Sequence, residues 1–135
     1  MLLRPQSLSR RYLSGISKLR VLVCGSRHYD PLKTEDYLDE YFRDRETPSC
    51  IIEGGASGAD CGGRHFGVNR GIPVETYKAD WNKYGKAAGP IRNGEMLRLG
   101  KPELVIAFLA RESRGTKNML DQAKKAGVEV MVVEI

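Results

Sequence analysis

Cysteine is scarce in this 135-residue chain: Cys24, Cys50 and Cys61 are an odd number and form no C-x-x-C pair. That pattern excludes a disulfide framework and supplies no zinc-ligand spacing, so no metal site is expected. Long apolar runs are missing as well. The longest, such as Leu104 to Ala110, fall far short of the ~20 residues needed to cross a bilayer, and no membrane partner is expected. Acidic residues are absent from the first twenty positions, which carry Arg4, Arg10, Arg11, Lys18 and Arg20. Five of the 22 basic residues lie there, so the rest of the chain balances its 17 acidic residues. The net charge of +5 therefore belongs to the amino-terminal segment, and a basic nucleic-acid face on the remainder is not supported.

What is present reads as a globular domain. An apolar fraction of 41% and a charged fraction of 29% are ordinary for one, and the length allows a single core. We divide the chain into a basic extension, residues 1–19, and a domain, residues 20–135. The extension is Arg- and Ser-rich without an uninterrupted apolar stretch. It is compatible with a solvated tail, an organelle-targeting segment or a basic arm touching a polyanion. Cys24 and Cys50 fall in apolar strand-like runs, where cysteine acts as a small hydrophobe. A reducing, cytoplasmic setting is expected, with an organelle as the alternative.

Strand and helix patterns alternate along the domain. Residues 20–25 read as a buried strand, and residues 33–46 as a helix with Leu38, Tyr41, Phe42 and Arg45 on one face, ended by Pro48. A strand at 50–52 leads through Gly54 to Gly58 into a helix from Ala59 to Asn69. Residues 74–78 form a short strand, 80–90 are irregular, and a short helix covers 91–99. A strand at 104–109, a helix at 116–126 capped by Gly127, and a strand at 128–135 complete the chain. This alternation predicts a three-layer, doubly wound α/β fold with a five-stranded parallel sheet in the order 3-2-1-4-5.

In such sheets ligands bind outside the carboxyl ends of the strands, near the switch in strand order. The loops expected there collect glycines, hydroxyls and cations. Gly25, Ser26 and Arg27 follow the first strand, with His28 beside them. Gly54, Gly55, Ala56, Ser57, Gly58 and Asp60 follow the second. Glycine lets a ligand approach the backbone closely, and the helix start favours a phosphate. Asp60 is placed to cap amides or accept a ribose hydroxyl. Asp80, Trp81, Lys86, Arg92 and Asn93 come from the third loop and suit a base or ribose. Arg114, Gly115 and Thr116 follow the fourth strand, where Thr116 is a candidate N-cap or anion contact. The segment fits neither G-x-G-x-x-G nor G-x-x-x-x-G-K-[ST]. His65 reads as a structural residue on its helix.

VLVCGSRHYD, GGASGAD, the string GIPVETYKADWNKYGKAAGPIRNGEML and the late Gly115-Thr116 together resemble the YspA-like branch of the SLOG superfamily, from about residue 20 to 135. The resemblance implies a Rossmann-like fold and a nucleotide, ADP-ribose-like or related signalling ligand, with dimers or tetramers common among relatives. It also relates the chain to the LOG phosphoribohydrolases, whose signature PGGxGTxxE carries the catalytic glutamate. Here Met119 stands in that position. A thioether does no acid–base work, so LOG-type catalysis through this residue is excluded. Glu53, Asp60, Asp80 and Glu112 remain as carboxylates for another hydrolytic mechanism.

Three functions follow. The first is a binding module that senses, carries or sequesters a phosphate- and ribose-bearing ligand, linear or cyclic, as its cofactor-like occupant. The second is an N-glycosidase or phosphohydrolase on a nucleotide derivative. The third, a nucleic-acid-associated protein, conflicts with the neutral domain. A homo-oligomer is expected, and the catalytic residue stays unknown.

Overall fold

Alternation along the strands sets the sheet. In β1 (Arg20–Gly25), Val21 and Val23 enter one apolar layer, while Leu22 and Cys24 enter the other. In β4 (Leu104–Leu109), Leu104, Ile106 and Phe108 join the first layer, and Val105 and Ala107 the second. Strands buried on both faces are what a parallel sheet covered by helices on each side requires. The computed structural model describes residues 17–135; the reading of the extension, residues 1–19, as a solvated tail, a targeting segment or a basic arm falls, for residues 1–16, outside the described residues. β2 (Cys50–Glu53), β3 (Val74–Thr76) and β5 (Glu129–Glu134) complete an all-parallel sheet in the order β3-β2-β1-β4-β5, as predicted.

Two helices cover one face. α1 (Pro31–Phe42) starts with proline at its first position and Asp30 as N-cap, whose carboxylate accepts from the Leu32 amide at 2.8 Å. It buries Leu38 and Phe42 and ends there, earlier than the expected residue 46. No apolar residue follows to hold another turn on the sheet; Arg45 instead lies past the end, its guanidinium 4.0 Å over the Tyr41 ring. α2 (Ala59–Asn69) matches its predicted span.

The Gly62-Gly63 pair in α2 has a packing cause. A Cβ at Gly62 would lie 2.6 Å from the Pro31 carbonyl, and one at Gly63 2.8 Å from Val23 Cβ. Gly67 sits equally close to Val74. The three glycines bring α2 against α1 and the sheet. Gly63→Ala is therefore expected to lower stability by about 1–2 kcal/mol, because overpacking outweighs the ~1 kcal/mol gain in helix propensity. A raised Tm would show that α2 can shift to accommodate a methyl group.

The other face departs from expectation in one stretch. Residues 80–90 are not irregular: α3 (Trp81–Tyr84) and a 3₁₀ turn (Gly85–Ala87) run into α4 (Ala88–Gly100), a 13-residue helix instead of the expected 91–99. Gly89 and Pro90 read as breakers, yet Pro90 occupies the first turn, where an amide has no intrahelical acceptor. Gly89 admits the Trp81 ring, which would be 3.3 Å from a Cβ. α5 (Arg114–Lys125) begins two residues before the expected Thr116. Its end is closed as predicted: Gly127 adopts φ +74°, and the Val128 amide donates to the Ala123 carbonyl at 2.9 Å. Strand β3 is two residues shorter than predicted, and β5 loses one residue at each end.

Cys24 and Cys50 are buried, Cys61 is half-buried, and all three are free. Among the described residues no helix is long and apolar enough to cross a membrane.

Candidate functional site

β1 and β4 end side by side, and the chain diverges from them in opposite directions. The gap opens as a cavity of about 430 Å³, a size common for small-molecule sites. Its wall on the β1 side is Gly25, Ser26, Arg27 and His28. Gly25 adopts φ +154°, and a Cβ there would touch both Phe108 and Ala59. Ser26 anchors this turn. Its amide donates to the Phe108 carbonyl at 3.0 Å, its carbonyl accepts from the Ala59 amide at 3.1 Å, and its Oγ accepts from the His28 amide at 3.1 Å.

The glycine-rich loop after β2 is folded onto two buried carboxylates. Glu53, 0% exposed, accepts from the Gly55 amide at 2.7 Å and from the Thr76 hydroxyl, with Arg64 Nη1 3.7 Å away. Asp60 Oδ2 accepts from the amides of Gly54 at 3.1 Å and Ala56 at 3.3 Å. The Gly54 carbonyl takes Arg92 Nη1 at 2.5 Å. Three consecutive amides that the glycines seemed to offer to a phosphate are thus donated internally. Of this loop, Ala56 and Asp60 line the cavity, while Gly54, Gly55, Ser57 and Gly58 shape it from behind. Ser57 Oγ donates to the Arg27 carbonyl at 3.0 Å, tying this loop to the first.

Asp60 takes the amide-capping role of the two the sequence allowed. Burial raises its carboxyl to about 6, and the nearby Glu53 pushes the same way; the Ala56 and Gly54 amides and Arg92 pull it down. Burial, with Asp60 beside it, also drives the Cys24 thiol far up, so Cys24 stays protonated and is no thiolate nucleophile.

α4 contributes Arg92, Asn93 and Met96. Asn93 is buried and fully engaged: its Nδ2 donates to the Gly115 carbonyl at 3.2 Å and Asn118 Oδ1 at 3.1 Å, and its Oδ1 accepts from Arg92 Nε at 3.1 Å. It joins α4 to α5 and has no amide group left for a base. Opposite stands the start of α5 with Glu112, Ser113, Arg114, Gly115 and Thr116. No side chain caps this helix. Thr116 is not the N-cap, which is Ser113; it sits within the first turn, lines the cavity and makes no hydrogen bond among the described residues.

Cys24, Met96 and Met119 form the buried floor. Cys24 and Met96 escaped the sequence reading of the site, which had Met119 only in the place of a LOG glutamate; the alternation that sends Cys24 to the layer of Met96 and Met119 is the signal that points to them. Ser113 was missed too; His28, noted beside the first loop, and Glu112, noted as a candidate carboxylate, line the cavity. Three expected contacts lie elsewhere. Asp80 caps α3, accepting from the Lys83 amide at 3.1 Å. Trp81, 54% exposed, packs on Gly89, and Lys86 is exposed on the 3₁₀ turn. The helix formed by 88–100 carries this loop away from the cavity. Among the described residues no group of three or more histidine, cysteine or carboxylate side chains is arranged to hold a metal.

Comparison with known proteins agrees with this architecture. The model of the YspA, cpYpsA-related SLOG family matches residues 19–84. The chain is also 36% identical over 120 residues to the Gene 61 protein of Mycobacterium phage D29, an alignment covering 83% of this chain and 94% of the phage protein.

Proposed function

Because the chain belongs to the YspA, cpYpsA-related SLOG family, we propose that it binds a phosphate-bearing, nucleotide-derived small molecule in the cavity between β1 and β4, as a sensor, carrier or sequestering protein. The observation that carries this reading is the start of α5, a 12-residue helix whose first turn has no side-chain cap and opens on the cavity, where Thr116 makes no hydrogen bond among the described residues. The helix start favours an anion there, and Arg27 and Arg114 line the same cavity. The sulfur-lined floor suits a flat, polarisable ring.

Turnover needs a carboxyl, and two line the cavity. Asp60 accepts both loop amides on Oδ2 alone, so Asp60 and Glu112 are both carboxyls a hydrolase would have at hand.

Thermal-shift and calorimetric titration with AMP, GMP, NAD, ADP-ribose and cyclic dinucleotides test the proposal. One ligand class is expected to raise Tm by several degrees. Thr116→Val, nearly isosteric, is expected to weaken that ligand about tenfold or more while leaving the unliganded Tm within about 2 °C. Equal affinity in the variant would remove the helix start from the site. Product formation abolished by Asp60→Asn or Glu112→Gln would move the function to hydrolysis.

A further inference from the structure

Arg92 lines a second cavity as well as the first. This groove, about 260 Å³, lies between the loop after β3, α3 and α4, and the residues that matter in it are Lys78, Asp80, Lys83, Tyr84 and Glu95. It is below the usual range for a whole drug-sized ligand, which suits a fragment of one. Resting on the reading just given, we propose that the groove takes a sugar phosphate forming the far end of the same ligand, so that the ligand has two phosphate-bearing sugar units.

The charges fit that chemistry better than its rivals. Three cations, Lys78, Lys83 and Arg92, face two carboxylates, Asp80 and Glu95. Lys78 has no acidic partner among the described residues, and its stem lies along the glycine loop, where a Cβ at Gly55 would be 3.0 Å from Lys78 Cγ. Glu95 likewise makes no hydrogen bond or ion pair among the described residues. A bare polyphosphate tail would meet the repulsion of both carboxylates. A neutral base would leave the lysines unused. A sugar phosphate uses both kinds of group, its hydroxyls donating to Asp80 and Glu95 and its phosphate accepting from the lysines. Tyr84 supplies an apolar wall for the ring. Arg92, fixed by its bond to the Gly54 carbonyl at 2.5 Å, stands where the two halves would join.

Calorimetric titration of the full chain with AMP, ATP and ADP-ribose tests the proposal, in the wild type and in the Lys78→Ala/Lys83→Ala variant. Both lysines are exposed, so the variant is expected to fold, which its Tm checks. ADP-ribose is expected to bind the wild type at least about tenfold tighter than AMP, because a tethered second group binds at high effective concentration. In the variant that advantage disappears while AMP affinity is unchanged. A gain with ATP equal to that with ADP-ribose would overturn the sugar assignment. AMP binding with no gain from ADP-ribose would overturn the second subsite alone, and no binding by any of the three would overturn this proposal together with the reading it rests on.

Discussion

Replacing Asp60 with asparagine is expected to stabilise the protein at pH 7.5 and to remove a pH-dependent component of its stability between about pH 4 and 6. The cause is the cost of keeping a charge on a buried carboxylate. Its folded value is about 6 against an ordinary 3.8. Between those two the native state binds more protons than the unfolded chain, so stability falls as pH rises and levels off above 6. Below 3.8 both states are protonated and the effect vanishes. The shift corresponds to about 3 kcal/mol at most. Other carboxylates work the opposite way. Glu35 is held down by Asn69 and Arg70, and Glu75 by Arg20, so their contributions are present at neutral pH and lost on acidification. Subtracting the asparagine variant's urea-denaturation profile from the wild type's isolates Asp60. Asp60→Ala should behave differently, because it strips the acceptor from the Gly54 and Ala56 amides; a loss of about 2–4 kcal/mol is expected. An asparagine variant less stable than wild type at pH 7.5 would mean that the attraction of Arg92 and the two amide hydrogen bonds outweigh burial.

The second large effect is at Gly58, and Gly71 supplies its control. Both have nearly the same left-handed backbone, φ +75° and +69°. Around Gly71 an added Cβ meets nothing within 4 Å; at Gly58 it would run into the Ser26 carbonyl and the backbone of Arg27, 2.5 Å from its carbonyl carbon. Gly71→Ala is expected to cost about 1 kcal/mol, the penalty of the conformation alone. Gly58→Ala adds the clash with backbone that cannot rotate away, for a total of about 4 kcal/mol and a Tm roughly 10 °C lower or more. Comparable losses in the two variants would show that the first and second loops separate easily, and would weaken the description of a preformed cavity wall.

The sheet was legible because strands buried on two faces leave a continuous apolar run that glycine and proline delimit. Val21 to Cys24 and Leu104 to Phe108 are such runs, and the spacing between them left room for crossover helices. The start of α4 was not legible, since Gly89 and Pro90 break a helix interior but are tolerated in a first turn, and only the Trp81 ring explains the glycine. At the site, the four loops could be identified from composition. Which of their groups stay available could not. Gly54, Gly55 and Ala56 give up their amides because Asp60 and Glu53 reach them from neighbouring elements, and Asn93 loses its polar atoms to Gly115 and Asn118 in the same way. Those partnerships are tertiary and leave no periodic trace. Thr116 read as an N-cap or an anion contact, and only the helix starting two residues earlier removes the first of these.

The two carboxylates beneath the glycine loop also bear on how quickly a ligand can engage. A flexible glycine loop must lose conformational freedom when it closes on its partner, at roughly 1–2 kcal/mol of backbone entropy per residue. Here Gly54, Gly55 and Ala56 have already lost theirs on folding, held at 2.7 to 3.3 Å by Glu53 and Asp60. On the proposed reading, no ordering step in that loop is expected between encounter and capture, so its contribution to affinity would be one of preorganisation.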